Sequence, residues 1–174
     1  MADKLSSMEE NGSKWSKMAD RGARAFRGTF THRLNKQGRI SLPSRFKDVL
    51  EERKVTRLVI LRHRDRLDAY PEDEWRLREM RNESLDMDDD NISDYIHYLQ
   101  SNMFEVELDG QGRILLPPKW REGLGEEREV VLLGMSQYFE IWPSERYQGA
   151  YREWEERYPG TRSHVAELKR SRSG

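Results

Sequence analysis

Cysteine is absent from this chain. That excludes disulfides, thiolate metal sites and a cysteine nucleophile, and it is the usage a reducing cytoplasm permits. Long apolar runs are absent too. No stretch approaches the ~20 apolar residues of a membrane-spanning helix, and the first residues are polar and charged, unlike a secretory leader. None of the four histidines (His32, His63, His97 and His164) stands three or four residues from another, the spacing a metal-binding helix uses. Glycine-rich phosphate loops, nucleophile elbows and zinc signatures are missing as well. The chain therefore reads as a non-enzyme with no cofactor and no membrane partner.

What is present is charge. Of the 174 residues, 36% are charged and 35% hydrophobic, which fits one domain or two small ones around a lean core. The net charge of −1 hides strong segregation. Residues 21–47 carry only bases, among them Arg33, Lys36, Arg39, Arg45 and Lys47. Residues 83–94 carry only acids. A base-only block points to an anionic partner. The acidic run 86–90 reads as a solvated loop, with a divalent-cation site as the alternative.

One phrase occurs twice. Residues 35–46 read "NKQGRISLPSRF" and residues 109–120 read "DGQGRILLPPKW", 74 positions apart. Each copy has an alternating strand before it, "TFTHRL" and "FEVEL". Each has a turn whose glycine, Gly38 or Gly112, supplies the positive φ a tight turn wants. Each continues into a short strand, a proline-led helix, a buried apolar strand ("RLVILRH", "VVLLG"), a last strand ("RLDAY", "YFEIWP") and a helix. Units this small are not stable separately, so their strands are expected to interleave in one body. The spacing predicts an α+β fold: a disordered tail over 1–25, one unit over 29–75, a helical linker over 76–102 capped at Asp90 or Asn91, a second unit over 103–146, a C-terminal helix over 147–159 and a disordered tail over 160–174. The body is expected to be β-barrel-like, with short helices and mobile tails.

The arginine after each glycine carries the functional question. Arg39 and Arg113 each precede an isoleucine, so each lies on the face opposite the core. An outward arginine there can be a plain solvated strand residue, or it can pair with phosphate or fork onto a guanine edge. It can also staple its own turn. In the second copy Asp109 stands across from Arg113, whereas the first copy has Asn35, which leaves Arg39 the freer of the two. With Arg33, Lys36, Arg45 and Lys47 around the first turn, and Lys119 beside the second, these arginines are the candidate contacts to double-stranded DNA. Glu105 and Glu107 would oppose phosphate at the second turn.

The duplicated Gly-Arg-Ile-x-Leu-Pro phrase, "FRGTF" at the start, "YPEDEW" closing the first half and "YFEIWP" closing the second resemble the MraZ family over residues 26 to about 155. The resemblance implies two SpoVT-AbrB swapped-hairpin units in a transcriptional repressor. Such proteins bind promoter repeats upstream of the division and cell wall gene cluster that contains their own gene. The resemblance also implies a ring-shaped homo-oligomer that is cytoplasmic and nucleoid-associated. The family's Asp-x-x-x-Arg falls on Asp109 and Arg113, and on Asn35 and Arg39 in the first copy, where the missing acid puts the staple in doubt. Two further departures are the ~25 residues before the Phe-Arg-Gly phrase and the acidic linker. An AbrB-like antitoxin and an oligomeric scaffold without DNA binding are the competing readings.

Overall fold

The computed structural model describes residues 25–121 and 128–172. The expected N-terminal tail lies outside them, apart from Ala25. The first half runs β1 (Thr29–Arg33), β2 (Arg39–Ser41), α1 (Ser44–Glu52), β3 (Arg57–Arg62), β4 (Leu67–Pro71) and α2 (Glu72–Asn82). After α3 (Asp90–Ser101), the second half runs β5 (Met103–Glu107), β6 (Arg113–Leu115), α4 (Pro118–Arg121), β7 (Glu129–Gly134), β8 (Phe139–Pro143) and α5 (Ser144–Ser171).

The expected interleaving is present, and it is reciprocal. Six strands form one antiparallel sheet in the order β1-β7-β8-β4-β3-β5. The first strand of each half pairs with the third strand of the other: Phe30 faces Leu132 and Phe104 faces Ile60. The short strands β2 and β6 leave the sheet and pair with each other. Exchanging the halves maps this order onto itself, so the chain has an internal two-fold axis that passes between β4 and β8. The sheet is open, which corrects the expectation of a barrel-like closure: β1 and β5 end as its two edges with no ladder between them.

Burial follows the alternation. One face packs Phe26, Phe46 and Phe139 with ring centroids 5.0–5.3 Å apart, together with Ile40 and Ile114 from the small ladder. Phe26 reaches this core because its backbone bridges to Ser136. The other face, under α2 and α3, holds Val59, Leu61, Tyr70, Trp75 and Leu99. Among the described residues no helix is long and apolar enough to cross a membrane.

At the internal axis two acids are buried side by side. Asp68 and Glu140 are partners on β4 and β8 and only 3% and 5% exposed. Two adjacent carboxylates out of water repel unless compensated. Arg66 compensates both: its Nε lies 2.9 Å from Asp68 Oδ1 and 3.1 Å from Glu140 Oε1. The Trp142 indole N–H donates to Glu140 at 2.7 Å, and His63 Nε2 lies 2.8 Å from Asp68.

Two elements differ from the sequence expectation. Asp89 caps α3, one residue earlier than expected, accepting from the Asn91 and Ile92 amides at 2.8 and 3.2 Å. The expected tail from residue 160 is helical to Ser171, because α5 passes through Pro159 and Gly160. Proline and glycine inside a helix cost about 3 and about 1 kcal/mol against alanine. Around this point the Thr161 and Ser163 hydroxyls donate to the carbonyls of Arg157 and Pro159, and Arg157 pairs with Glu153.

Removing the one cation of a buried pair costs about 3–5 kcal/mol. Arg66→Met should lower the unfolding free energy by about that amount in urea titrations. Adding Asp68→Asn and Glu140→Gln to the same chain should recover most of it.

Candidate nucleic-acid interface

Each repeated turn begins with a side-chain oxygen. Asn35 Oδ1 accepts from the amides of Gln37 at 3.0 Å and Arg39 at 2.9 Å. Asp109 Oδ1 accepts from the amides of Gln111 at 2.9 Å and Arg113 at 3.0 Å. This is an Asx turn, which needs an oxygen and not a charge. The first turn is therefore held as the second is, despite the missing acid. Gly38 and Gly112 follow at φ +83° and +68°, where a side chain would be strained.

The glycines are covered reciprocally. A Cβ on Gly38 would lie 2.2 Å from the Arg121 guanidinium, and one on Gly112 would lie 2.2 Å from Lys47 Cδ. Arg121 comes from α4 of the second half and Lys47 from α1 of the first. Each half lays a long cation over the turn of the other. Arg121 also donates to the Gln37 carbonyl at 3.3 Å. Arg128 donates to the carbonyls of Asn35 and Lys36 at 3.4 and 3.3 Å.

The β2–β6 ladder sets Arg39 opposite Leu115 and Ser41 opposite Arg113. These four share one face, because Ile40 and Ile114 between them point into the core. Both arginines thus stand on a single surface with Leu115, which is 45% exposed. They are held by one acid. Asp109 Oδ2 accepts from Arg113 Nε at 2.7 Å and lies 4.0 Å from Arg39 Nε. Arg39 also donates to Gln37 Oε1 at 3.1 Å. The side chains of Arg39 and Arg113 are 35% and 32% exposed. Both are half-buried, and Arg39, with no acid on its own turn, lies farther from Asp109 than Arg113 does. Partial desolvation pushes the Asp109 carboxyl up, but the bonds from the backbone and side chain of Arg113 and from the Gln111 amide outweigh it. The net shift is downward.

The remaining candidates divide. Lys36 is exposed on the first turn and Arg45 on α1, while Lys47 is half-buried over Gly112. Arg33 sits on the edge strand, its Nε 3.5 Å from Glu129. Lys119 lines a cavity of about 110 Å³ with Arg62 and Arg146 rather than a turn. Glu105 and Glu107, expected to oppose an anion at the second turn, are matched by Arg57 at 3.8 and 3.0 Å. The sequence reading missed Arg121 and Arg128. The first had a signal, since it stands one repeat after Lys47. The second had none, because its contact is made only by the fold.

Fold and turns together define a duplicated, strand-exchanged protein whose two halves complete each other around a paired Gly-Arg ladder. The family model described as "MraZ protein, putative antitoxin-like" matches residues 25–93 and 99–161. The chain belongs to the MraZ family. It is 39% identical over 130 residues to the transcriptional regulator MraZ of Thioalkalivibrio sulfidiphilus, covering 74% of this chain and 87% of that one. It is 36% identical to that of Paraburkholderia phytofirmans over 123 residues, 70% and 84% of the two chains. With that of Syntrophobacter fumaroxidans it shares 38% over 117 residues, 67% and 78% of the two chains.

A carboxyl held below its ordinary range in the folded chain contributes stability above its unfolded value of about 3.9 and loses it as pH falls through the folded value. Asp109→Asn keeps the Asx turn and removes this contribution. The melting-temperature gap between wild type and Asp109→Asn should be widest above about pH 5 and should close on acidification.

Proposed function

We propose that this chain is a sequence-specific DNA-binding transcriptional regulator. On this reading it represses the division and cell wall gene cluster that contains its own gene. It works in the cytoplasm at the nucleoid, as a ring-shaped homo-oligomer on promoter repeats in double-stranded DNA. One observation carries the reading: the ladder gathers Arg39 and Arg113 on one face, each on a turn fixed by an Asx bond and a positive-φ glycine. A guanidinium held this way loses little freedom when it forks onto a base edge or a phosphate. Asp109 holds both until an anion replaces it. Lys36 and Arg45 stand exposed nearby in sequence to track the backbone. The relatives' name, transcriptional regulator, agrees. The two halves differ in sequence, so contacts between copies would join unlike surfaces and close as a ring. An antitoxin would need an extended tail to wrap its toxin, and residues 160–171 are helical instead.

Band shifts with the region upstream of the protein's own gene test this. Arg39→Ala and Arg113→Ala should each lose about 1–3 kcal/mol of discrimination per turn for a bidentate base contact. Arg39→Ala should leave thermal unfolding nearly unchanged, whereas Arg113→Ala should also lose the stability that its bond to Asp109 supplies. Binding equal to wild type in both variants would remove the ladder from the interface. Lys36→Ala should weaken binding to all sequences and lower the salt slope by about 0.9.

A further inference from the structure

Helix α5 carries an apolar stripe that the body covers only in part, near its start. Tyr147 and Trp154 pack edge-on against Trp142 with centroids 6.2 and 5.5 Å apart. Beyond them Tyr151, Tyr158, Val165 and Leu168 are exposed, Tyr158 by 61% and Leu168 by 47%. The spacing from Tyr147 through Tyr151, Trp154, Tyr158, Thr161 and Val165 to Leu168 alternates four and three residues without a break. That is the heptad seam of a helix that packs on another helix. The seam continues past residue 161, where the family match ends. Pro159 and Gly160 lie off the seam.

The charges flanking the seam choose the partner and its direction. One flank carries Glu155, Arg162 and Lys169, the other Arg157 and His164. A second copy laid parallel would set Arg157 against Arg162 and His164 against Lys169. Laid antiparallel about a two-fold axis between Pro159 and Gly160, it sets Glu155 against Arg162 twice on one flank and Arg157 against His164 twice on the other. In the same register Tyr151 meets Leu168, Val165 meets Trp154 and Tyr158 meets Thr161. The terminal layer sets Arg172 on the Tyr147 ring, a cation–π geometry. Sliding one heptad either way brings Glu155 onto Glu155 or Arg162 onto Arg162, which is unfavourable.

We propose that α5 is a self-association surface that pairs antiparallel with α5 of a second copy in this register. The contact is isologous and two-fold, so it differs from any head-to-tail contact that closes a ring, and it would join one ring to the next or one protomer to another. It does not depend on the DNA-binding reading.

The chain has no cysteine, so single cysteines report on it cleanly. Differently tagged Tyr151→Cys and Leu168→Cys chains are made alone and co-expressed, then oxidised mildly. The antiparallel register crosslinks them only when both are present. Crosslinking of each variant alone indicates parallel pairing and overturns the proposal, and so does the absence of any crosslink. In the cysteine background Glu155→Arg should cut the crosslinked fraction at least several-fold, and adding Arg162→Glu should restore it. Failure of this swap to restore the crosslink would also overturn the register. Both swapped residues are exposed, so far-ultraviolet circular dichroism, which reports the fold and not the pairing, should be unchanged throughout.

Discussion

The structure depends on strand exchange between its two halves. A β-strand needs a neighbour for its backbone groups, and neither half keeps its own first strand: β1 goes to β7 and β5 goes to β3. The smaller exchange, β2 with β6, has the greater consequence. It puts Ile40 and Ile114 into one core and fixes the register in which the two Gly-Arg turns meet. A one-residue slip of either strand there would turn its isoleucine outward and its arginine inward. Core packing and the candidate site are therefore set by the same few hydrogen bonds.

Duplication creates a problem at the internal axis, and the chain solves it asymmetrically. Equivalent positions on β4 and β8 are both acidic, and the axis brings them together. With β4 and β8 aligned on Asp68 and Glu140, the residue that matches Arg66 is Tyr138, so one cation serves both carboxylates. The same economy recurs at the turns, in reverse: two arginines share one carboxylate, Asp109. In each place the two copies have diverged so that one charge serves its own half and, across the axis, the other half as well. This is a physical reason for the halves to remain in one chain.

The two sides of the molecule differ in how they hold charge. Acids on β5 and α2 are met by Arg57, and Arg53 binds Asp73 and Glu74 at 3.1 and 3.3 Å. Around the turns Lys36 and Arg45 stand exposed on a segment that has no acid of its own.

By itself the sequence determined the repeat, the order of elements in each half, the turn glycines and the arginine beside each, because period, turn chemistry and apolar alternation are local properties. Interleaving was also legible, since units so small cannot close a core alone. Which strand pairs with which was not, because pairing across the halves is a long-range choice that no local pattern encodes. The open sheet, the shared hold of Asp109 on Arg39 and Arg113, the contacts of Arg128 and the joint compensation of Asp68 and Glu140 by Arg66 were decided only by the tertiary structure. Each joins residues far apart in the chain. The helix through Pro159 lay between these cases. Its seam was written in the sequence, but Pro-Gly reads locally as a stop, and only the tertiary structure carries the helix through it to Ser171.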